Sequence, residues 1–222
     1  MANAAPCATI SFLTGKPMDY TVHIVDDDAS VRRSLAWLFE SVGLECMLYE
    51  SGSEFLENLP EQTPGCVLLD VRMPAMGGFE VQRELNLRSN AMPVIFLTAH
   101  GDIPMTVRAL KAGAHDFLEK PYNDQVLIDK VTSALLWSAE AYKNIEQEQR
   151  DRESLAQLSA RELEVFHEVL AGKANKVIAK DLDISLKTVE AHRAHIREKL
   201  GVHSVVEMLR MAGHRPAPRR ER

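Results

Sequence analysis

From Tyr20 onward, short β-branched runs alternate with helical patterns, and this alternation constrains the fold more than any other feature of the chain. The runs predict strands at 22–25, 46–49, 67–69, 94–97 and 116–118, with helical patterns at 31–42, 79–87 and 105–112 between them. The runs are continuously apolar, as in strands that are covered by helices on both faces. The sequence therefore predicts an α/β domain over residues 18–138, built on a five-stranded, doubly wound parallel sheet.

The rest of the chain divides into four segments. Residues 1–17 are expected to be a disordered extension, and both Met1 and Met18 fit as starting residues. Residues 139–157 contain no glycine or proline and are rich in charged and amide side chains, which predicts a helical linker, either a rigid continuation or a flexible tether. Residues 158–213 predict a small all-α domain of four helices, and 214–222 a disordered basic tail.

Composition and charge restrict the partners of this chain. Its 222 residues are 45% hydrophobic and 26% charged, which excludes a collagen-like or disordered protein. No apolar run approaches the roughly 18 residues of a membrane span, so no membrane partner is expected. The three cysteines show no paired or zinc-binding spacing, which favours the reduced cytoplasm. The formal net charge is −8 over 1–138, −2 over 139–158 and +4 over 159–222, which indicates different partners for the two ends.

Acidic and polar side chains stand where the predicted strands end. They are Asp26, Asp27 and Asp28 after the first strand, Asp70 after the third, Thr98 after the fourth, and Lys120 with Pro121 after the fifth. The carboxyl ends of parallel strands meet at one edge of a sheet, so we expect these side chains to lie together. Crowded carboxylates repel one another, and Mg²⁺ would relieve that repulsion. In such a site Asp70 is suited to attack a phosphorus atom and Lys120 to pair with a phosphoryl oxygen.

The segments VHIVDDD, VLLDVRMPAMGG, FLTAHGD and GAHDFLEKP resemble, in order and spacing, the motif blocks of two-component response regulator receiver domains. The resemblance implies a flavodoxin-like fold and a cis Lys120–Pro121 bond. It implies the following roles: Asp70 as phosphoacceptor, Asp26, Asp27, Asp70 and the Arg72 carbonyl as Mg²⁺ ligands, Thr98 and Phe117 as switch residues, and Lys120 as the phosphate-sensing lysine.

The acidic positions also fit two other interpretations. Asp28 is expected to cap the following helix. An aspartate-nucleophile phosphatase of the haloacid dehalogenase type would need a second carboxylate two residues after its nucleophile, where this chain has Arg72. We therefore expect no enzyme activity beyond phosphorylation and dephosphorylation of the receiver itself.

Near the C-terminus, the turn 183–185 separates helical patterns at 175–182 and 186–200, which predicts a helix-turn-helix whose second helix enters a DNA major groove. The predicted DNA contacts are Lys187, Thr188, Glu190, Ala191, His192, Ala194, His195 and Lys199. Lys187 and Thr188 are suited to phosphates, and Glu190 to a cytosine amino group. Ala191 and Ala194 are suited to thymine methyl groups, and His195 to a base edge or a phosphate. A metal site at His192 and His195 would lack a third ligand nearby.

The segments LSARELEV, NKVIAKDLDIS and SLKTVEAHRAHIREKLG resemble the LuxR-type helix-turn-helix domain. With the receiver blocks, the chain is similar to FixJ-type regulators of the NarL/FixJ family. That resemblance implies a sensor histidine kinase, double-stranded promoter DNA and RNA polymerase as partners, most often with activation of transcription. It also implies a homodimer that forms on phosphorylation, and we place its face at 104–138. A signalling adaptor that binds protein or RNA is the alternative.

Overall fold

The computed structural model describes residues 20–59, 64–99 and 103–213. The predicted extension 1–17 and tail 214–222 lie outside the described residues. The chain divides into two compact units, Met1–Lys143 and Asn144–Arg222. Within the described residues, no helix combines the length and apolar character that crossing a membrane requires.

The first unit is built on a parallel sheet of five strands. They are β1 (Thr21–Val25), β2 (Glu45–Tyr49), β3 (Gly65–Asp70), β4 (Val94–Thr98) and β5 (Asp116–Glu119), in the order β2-β1-β3-β4-β5. The strand order confirms the predicted doubly wound, flavodoxin-like sheet. It also places β3 between β1 and β4, so that Asp70 ends a fully buried strand at the centre of the sheet.

The helices of this α/β arrangement are α1 (Ala29–Ser41), α2 (Gly52–Glu57), α3 (Gly78–Leu87), α4 (Ile103–Lys111) and, as far as Lys143, α5 (Asp124–Leu155). Side chains of α1 and α5, such as Phe39 and Leu135, pack with Ile24 and Leu68 on one face of the sheet. Helices α2, α3 and α4 supply the core on the opposite face. Helix α5 continues to Leu155, so most of the predicted linker is helical.

The second unit contains α6 (Ala160–Leu170), α7 (Asn175–Asp181), α8 (Leu186–Leu200) and α9 (Val205–Met211). Phe166, Ile178, Val189 and Ile196 are buried in its core. Ser159, Ser185 and Ser204 are the N-caps of α6, α8 and α9, and each side chain accepts a hydrogen bond from a backbone N–H of the first turn. The predicted four-helix domain is confirmed, including the bounds of α8.

Candidate acidic pocket and nucleic-acid interface

Lys120 joins two buried carboxylates at the carboxyl edge of the sheet. Its Nζ lies 2.7 Å from Asp26 Oδ2 and 2.9 Å from Asp70 Oδ1. Asp26 is 3% exposed and Asp70 is 8% exposed. The Lys120–Pro121 peptide bond is cis, as expected. Three residues that are up to 94 positions apart in sequence thus meet where the ends of β1, β3 and β5 were expected to bring them.

Backbone groups hold the same two carboxylates in place. The Arg72 N–H donates to Asp70 Oδ2 at 2.7 Å, and the Asp28 N–H donates to Asp26 Oδ1 at 2.9 Å. Asp28 itself accepts from the Ser30 N–H at 2.7 Å and caps α1, as predicted. Each buried carboxylate therefore has one oxygen bonded to the backbone and the other bonded to Lys120.

The charges in this pocket do not balance. Burial raises the pKa of Asp26, and the hydrogen bond from Lys120 only partly offsets that effect. Burial alone would lower the pKa of Lys120, but its hydrogen bonds to Asp26 and Asp70 outweigh burial, and the pKa is raised. Lys120 therefore carries its positive charge, and two carboxylates share it.

The donor atoms fit a hard divalent cation. Carboxylate oxygens are the ligands that Mg²⁺ prefers, and the negative charge left over between Asp26 and Asp70 favours a cation. Asp27 is exposed, unlike Asp26. In the parts of the chain that the structure describes, no three acidic, histidine or cysteine side chains are grouped closely enough to hold a metal. The predicted ligands are therefore of the type that Mg²⁺ prefers, but the described side chains are not grouped closely around one metal position.

The two predicted switch residues lie on neighbouring strands. Thr98 is 1% exposed at the end of β4, and its carbonyl accepts from the Lys120 N–H at 2.7 Å. Phe117 is half-buried on β5, and its ring centroid lies 6.5 Å from that of Phe96 on β4. Thr98 pairs with Glu119 in the register of β4 and β5, so it lies next to the strand that carries Phe117.

Helix α8 carries the predicted DNA contacts, and the structure divides them into two groups. Lys187, Glu190, Ala191, Ala194, His195 and Lys199 are exposed, whereas Thr188 and His192 are half-buried. The Thr188 N–H donates to Ser185 Oγ at 3.0 Å, and the two hydroxyls are hydrogen bonded at 2.7 Å. Thr188 therefore helps to cap α8.

The structure gives three further side chains of the second unit a position or a contact that the sequence did not predict. Arg197 is exposed on α8, seven residues after Glu190 and three after Ala194, so helical spacing alone would have placed it on the same face. Arg193 donates from Nη1 to Asn175 Oδ1 at 2.6 Å and thereby joins α8 to α7. Glu162 on α6 binds Lys199 at 2.7 Å, a contact that no local pattern indicates.

Two protein-family models match the chain. The response regulator receiver domain matches residues 22–132, and the LuxR family of bacterial regulatory proteins matches residues 156–212. The first match contains the acidic pocket, and the second contains helices α6 to α9.

Curated relatives match almost the full length. The chain is 46% identical over 189 residues to the transcriptional regulatory protein TdiR of Thauera aromatica, covering 85% of this chain and 83% of TdiR. It is 43% identical over 194 residues to the transcriptional regulatory protein FixJ of Rhizobium meliloti, covering 87% of this chain and 95% of FixJ.

Two solved structures of similar proteins match most of this chain. The response regulator StyR matches with a TM-score of 0.78 and 41% identity, over 89% of this chain and 100% of StyR. Full-length FixJ from B. japonicum matches with a TM-score of 0.54 and 37% identity, over 89% of this chain and 97% of FixJ. Both alignments extend across the acidic pocket and the helical domain.

Proposed function

This chain belongs to the two-component response regulators of transcription that join a receiver domain to a LuxR-type DNA-binding domain, and from that premise we propose that phosphorylation of Asp70 controls its binding to promoter DNA. The observation that carries the proposal is the position of Lys120 Nζ, 2.9 Å from Asp70 Oδ1 at the edge of the sheet. A carboxylate and an ammonium in this arrangement provide a nucleophile and a partner for the incoming phosphoryl oxygens.

In the proposed reaction, a carboxylate oxygen of Asp70 forms a bond to phosphorus while the bond from phosphorus to the kinase histidine nitrogen breaks. Lys120 pairs with a phosphoryl oxygen, and the Arg72 N–H holds the second carboxylate oxygen of Asp70. Asp26, Asp27, Asp70 and the Arg72 carbonyl would hold Mg²⁺, which supplies positive charge against that of the phosphoryl group. Phosphorylation and dephosphorylation of Asp70 are the only chemistry that we assign to the chain.

The phosphoryl group adds nearly two negative charges and several acceptor oxygens beside Thr98. The Thr98 hydroxyl moves toward those oxygens, and Phe117 turns into the space it leaves. This change alters the face at 104–138, through which two copies pair. Exposed apolar side chains within this face support the proposal: Val107, Leu110, Val126 and Trp137.

The paired protein binds duplex DNA through α8. The side chains that we assign to this interface are Lys187, Thr188, Glu190, Ala191, His192, Ala194 and His195. Lys199, the eighth predicted contact, is bound by Glu162. A charge of only +4 over residues 159–222 gives one copy modest attraction for DNA, so two linked copies bind more tightly than one. We place this function in the cytoplasm, where the chain would interact with the sensor histidine kinase, promoter DNA and RNA polymerase.

A footprint on promoter DNA tests the control model. The protein is treated with acetyl phosphate and Mg²⁺, and promoter protection is compared with that of Asp70→Asn treated in the same way. Asp28→Asn is the matched control, because Asp28 caps α1 and lies outside the Lys120 pair. We expect stronger protection by the phosphorylated protein and by Asp28→Asn than by Asp70→Asn. Equal protection by the treated protein and Asp70→Asn would overturn the model.

A further inference from the structure

Glu162 is a buried carboxylate that binds the C-terminal end of α8. It is 4% exposed at the third position of α6, and its Oε2 accepts from Lys199 Nζ at 2.7 Å. The pKa of Glu162 is lowered to about 2, first by the hydrogen bond from Lys199 and then by that from the Ser159 backbone. Glu162 is therefore ionised, and its charge faces a lysine that the sequence assigned to DNA.

The two oxygens of Glu162 differ in their surroundings. Oε2 accepts from the Ser159 N–H at 2.8 Å and from the Ser159 hydroxyl at 2.9 Å, in addition to Lys199. Oε1 faces His195 Nδ1 at 4.0 Å. One carboxylate thus closes the first turn of α6 and also faces two side chains of α8, four residues apart.

We propose that Glu162 is a positioning residue that withholds the charge of Lys199 from DNA phosphates and ties the end of α8 to α6. Lys199 has a side chain that is 40% exposed, so its stem already lies at the surface. A Lys199 released from the carboxylate can reach a phosphate with its flexible four-carbon chain. This inference rests on the proposed DNA interface. Lys199 would then support the position of α8 instead of contacting DNA.

The salt dependence of DNA binding measures the charge that Lys199 contributes. Each phosphate neutralised by a lysine changes the slope of log K against log salt by about 0.9, or about 3.5-fold in affinity between 50 and 200 mM. Full-length protein is titrated against a random-sequence duplex, and the melting temperature is measured in parallel. The variants are Glu162→Gln, Lys199→Gln and the double variant. Lys187→Gln tests the interface, and Glu153→Gln removes an exposed carboxylate elsewhere in the second unit.

We expect Glu162→Gln to steepen the slope by about 0.9, because Gln can still accept from the Ser159 N–H while the ionic attraction that holds Lys199 is lost and only the neutral Gln157 carbonyl, at 3.4 Å, remains near it. Lys199→Gln should leave the slope unchanged and lower the melting temperature. The double variant should restore the original slope, and Glu153→Gln should not change it. An unchanged slope in Glu162→Gln, or a shallower one in Lys199→Gln, would overturn the proposal.

The control variant separates this inference from the proposed interface. Lys187 is exposed at the start of α8, and Lys187→Gln should make the slope shallower by about 0.9. If Lys187→Gln also leaves the slope unchanged, the interface on α8 is wrong. If Lys187→Gln behaves as expected and Glu162→Gln does not, only the role of Glu162 is wrong.

Discussion

The His23 imidazole and the Tyr49 hydroxyl are joined by a 3.1 Å hydrogen bond inside the core of the sheet. His23 is 1% exposed, and its ring centroid lies 5.7 Å from that of Phe55. Its other ring nitrogen, Nε2, has no hydrogen-bond partner among the described residues. Burial lowers the pKa of His23 from 6.5 to about 4. The folded protein therefore holds this histidine neutral.

The stability of the receiver domain should fall in mild acid because of His23. The unfolded chain binds the proton first, so stability is full above about pH 6.5 and decreases as the pH falls to about 4, by about 3 kcal/mol. Chemical denaturation across this range measures the loss. His23→Gln should remove most of the slope, whereas the exposed His203→Gln should retain it. Parallel curves for the original protein and His23→Gln would contradict the prediction.

Asp26→Asn should stabilise the unphosphorylated protein in the absence of metal. Two buried carboxylates share the Lys120 ammonium, and removing one charge leaves a balanced pair with Asp70. We expect a gain of about 1 kcal/mol in the free energy of unfolding, measured by urea titration in a chelator. Asp27→Asn is the matched control, and because Asp27 is exposed its change should stay within about 0.5 kcal/mol. A loss of stability in Asp26→Asn would show that the Lys120 contact outweighs the excess charge.

Ala75→Gly should also be stabilising. Ala75 is an exposed residue in the loop after β3, and its φ of 63° lies in the left-handed region that favours glycine. We expect a gain of about 0.5–1 kcal/mol, seen as a higher melting temperature. Ser34→Gly on the exposed side of α1 should have the opposite sign, because glycine weakens a helix. A lower melting temperature for Ala75→Gly would rule out relief of backbone strain.

Gly78→Ala should be destabilising and should disturb the end of β3. A Cβ at residue 78 would lie 2.4 Å from the Asp70 carbonyl oxygen and 2.9 Å from Phe96 Cε1. We expect a loss of about 1–3 kcal/mol and slower phosphorylation by acetyl phosphate. In Gly77→Ala the added Cβ would lie 3.2 Å from its nearest atom, the Val71 carbonyl oxygen, so this variant should lose less stability. Equal losses in the two variants would contradict the role of the close approach to Asp70.

The sequence predicted the strands and the polar residues at their carboxyl ends because each of these patterns spans only a few consecutive residues. Asp70 follows a buried apolar run, so its place at the end of β3 is visible from the sequence. The hydrophobic pattern did not predict helix α2, because Gly52–Glu57 is too short for a full hydrophobic repeat. Its signal was the cap, in which Ser51 accepts from the Glu54 N–H at 3.2 Å.

Contacts between helices were harder to predict. Helical spacing identified Lys199 as a surface residue of α8, and the side chain is exposed. It did not reveal that Glu162, 37 positions earlier, lies within 2.7 Å. Periodicity describes the faces of one helix, whereas the neighbour of each face depends on how the helices pack.

The serine caps of the second unit have a consequence for how DNA preference can change. Helix α8 is capped at its N-terminus by Ser185, whose hydroxyl accepts from the Thr188 N–H, and at its C-terminus by Gly201, whose φ is 63°. Both signals lie inside the segment itself, so the angle at which each side chain leaves the axis is encoded locally. Exchanging residues 185–201 between relatives should therefore preserve the bounds of α8 and, under the proposed function, transfer its DNA sequence preference.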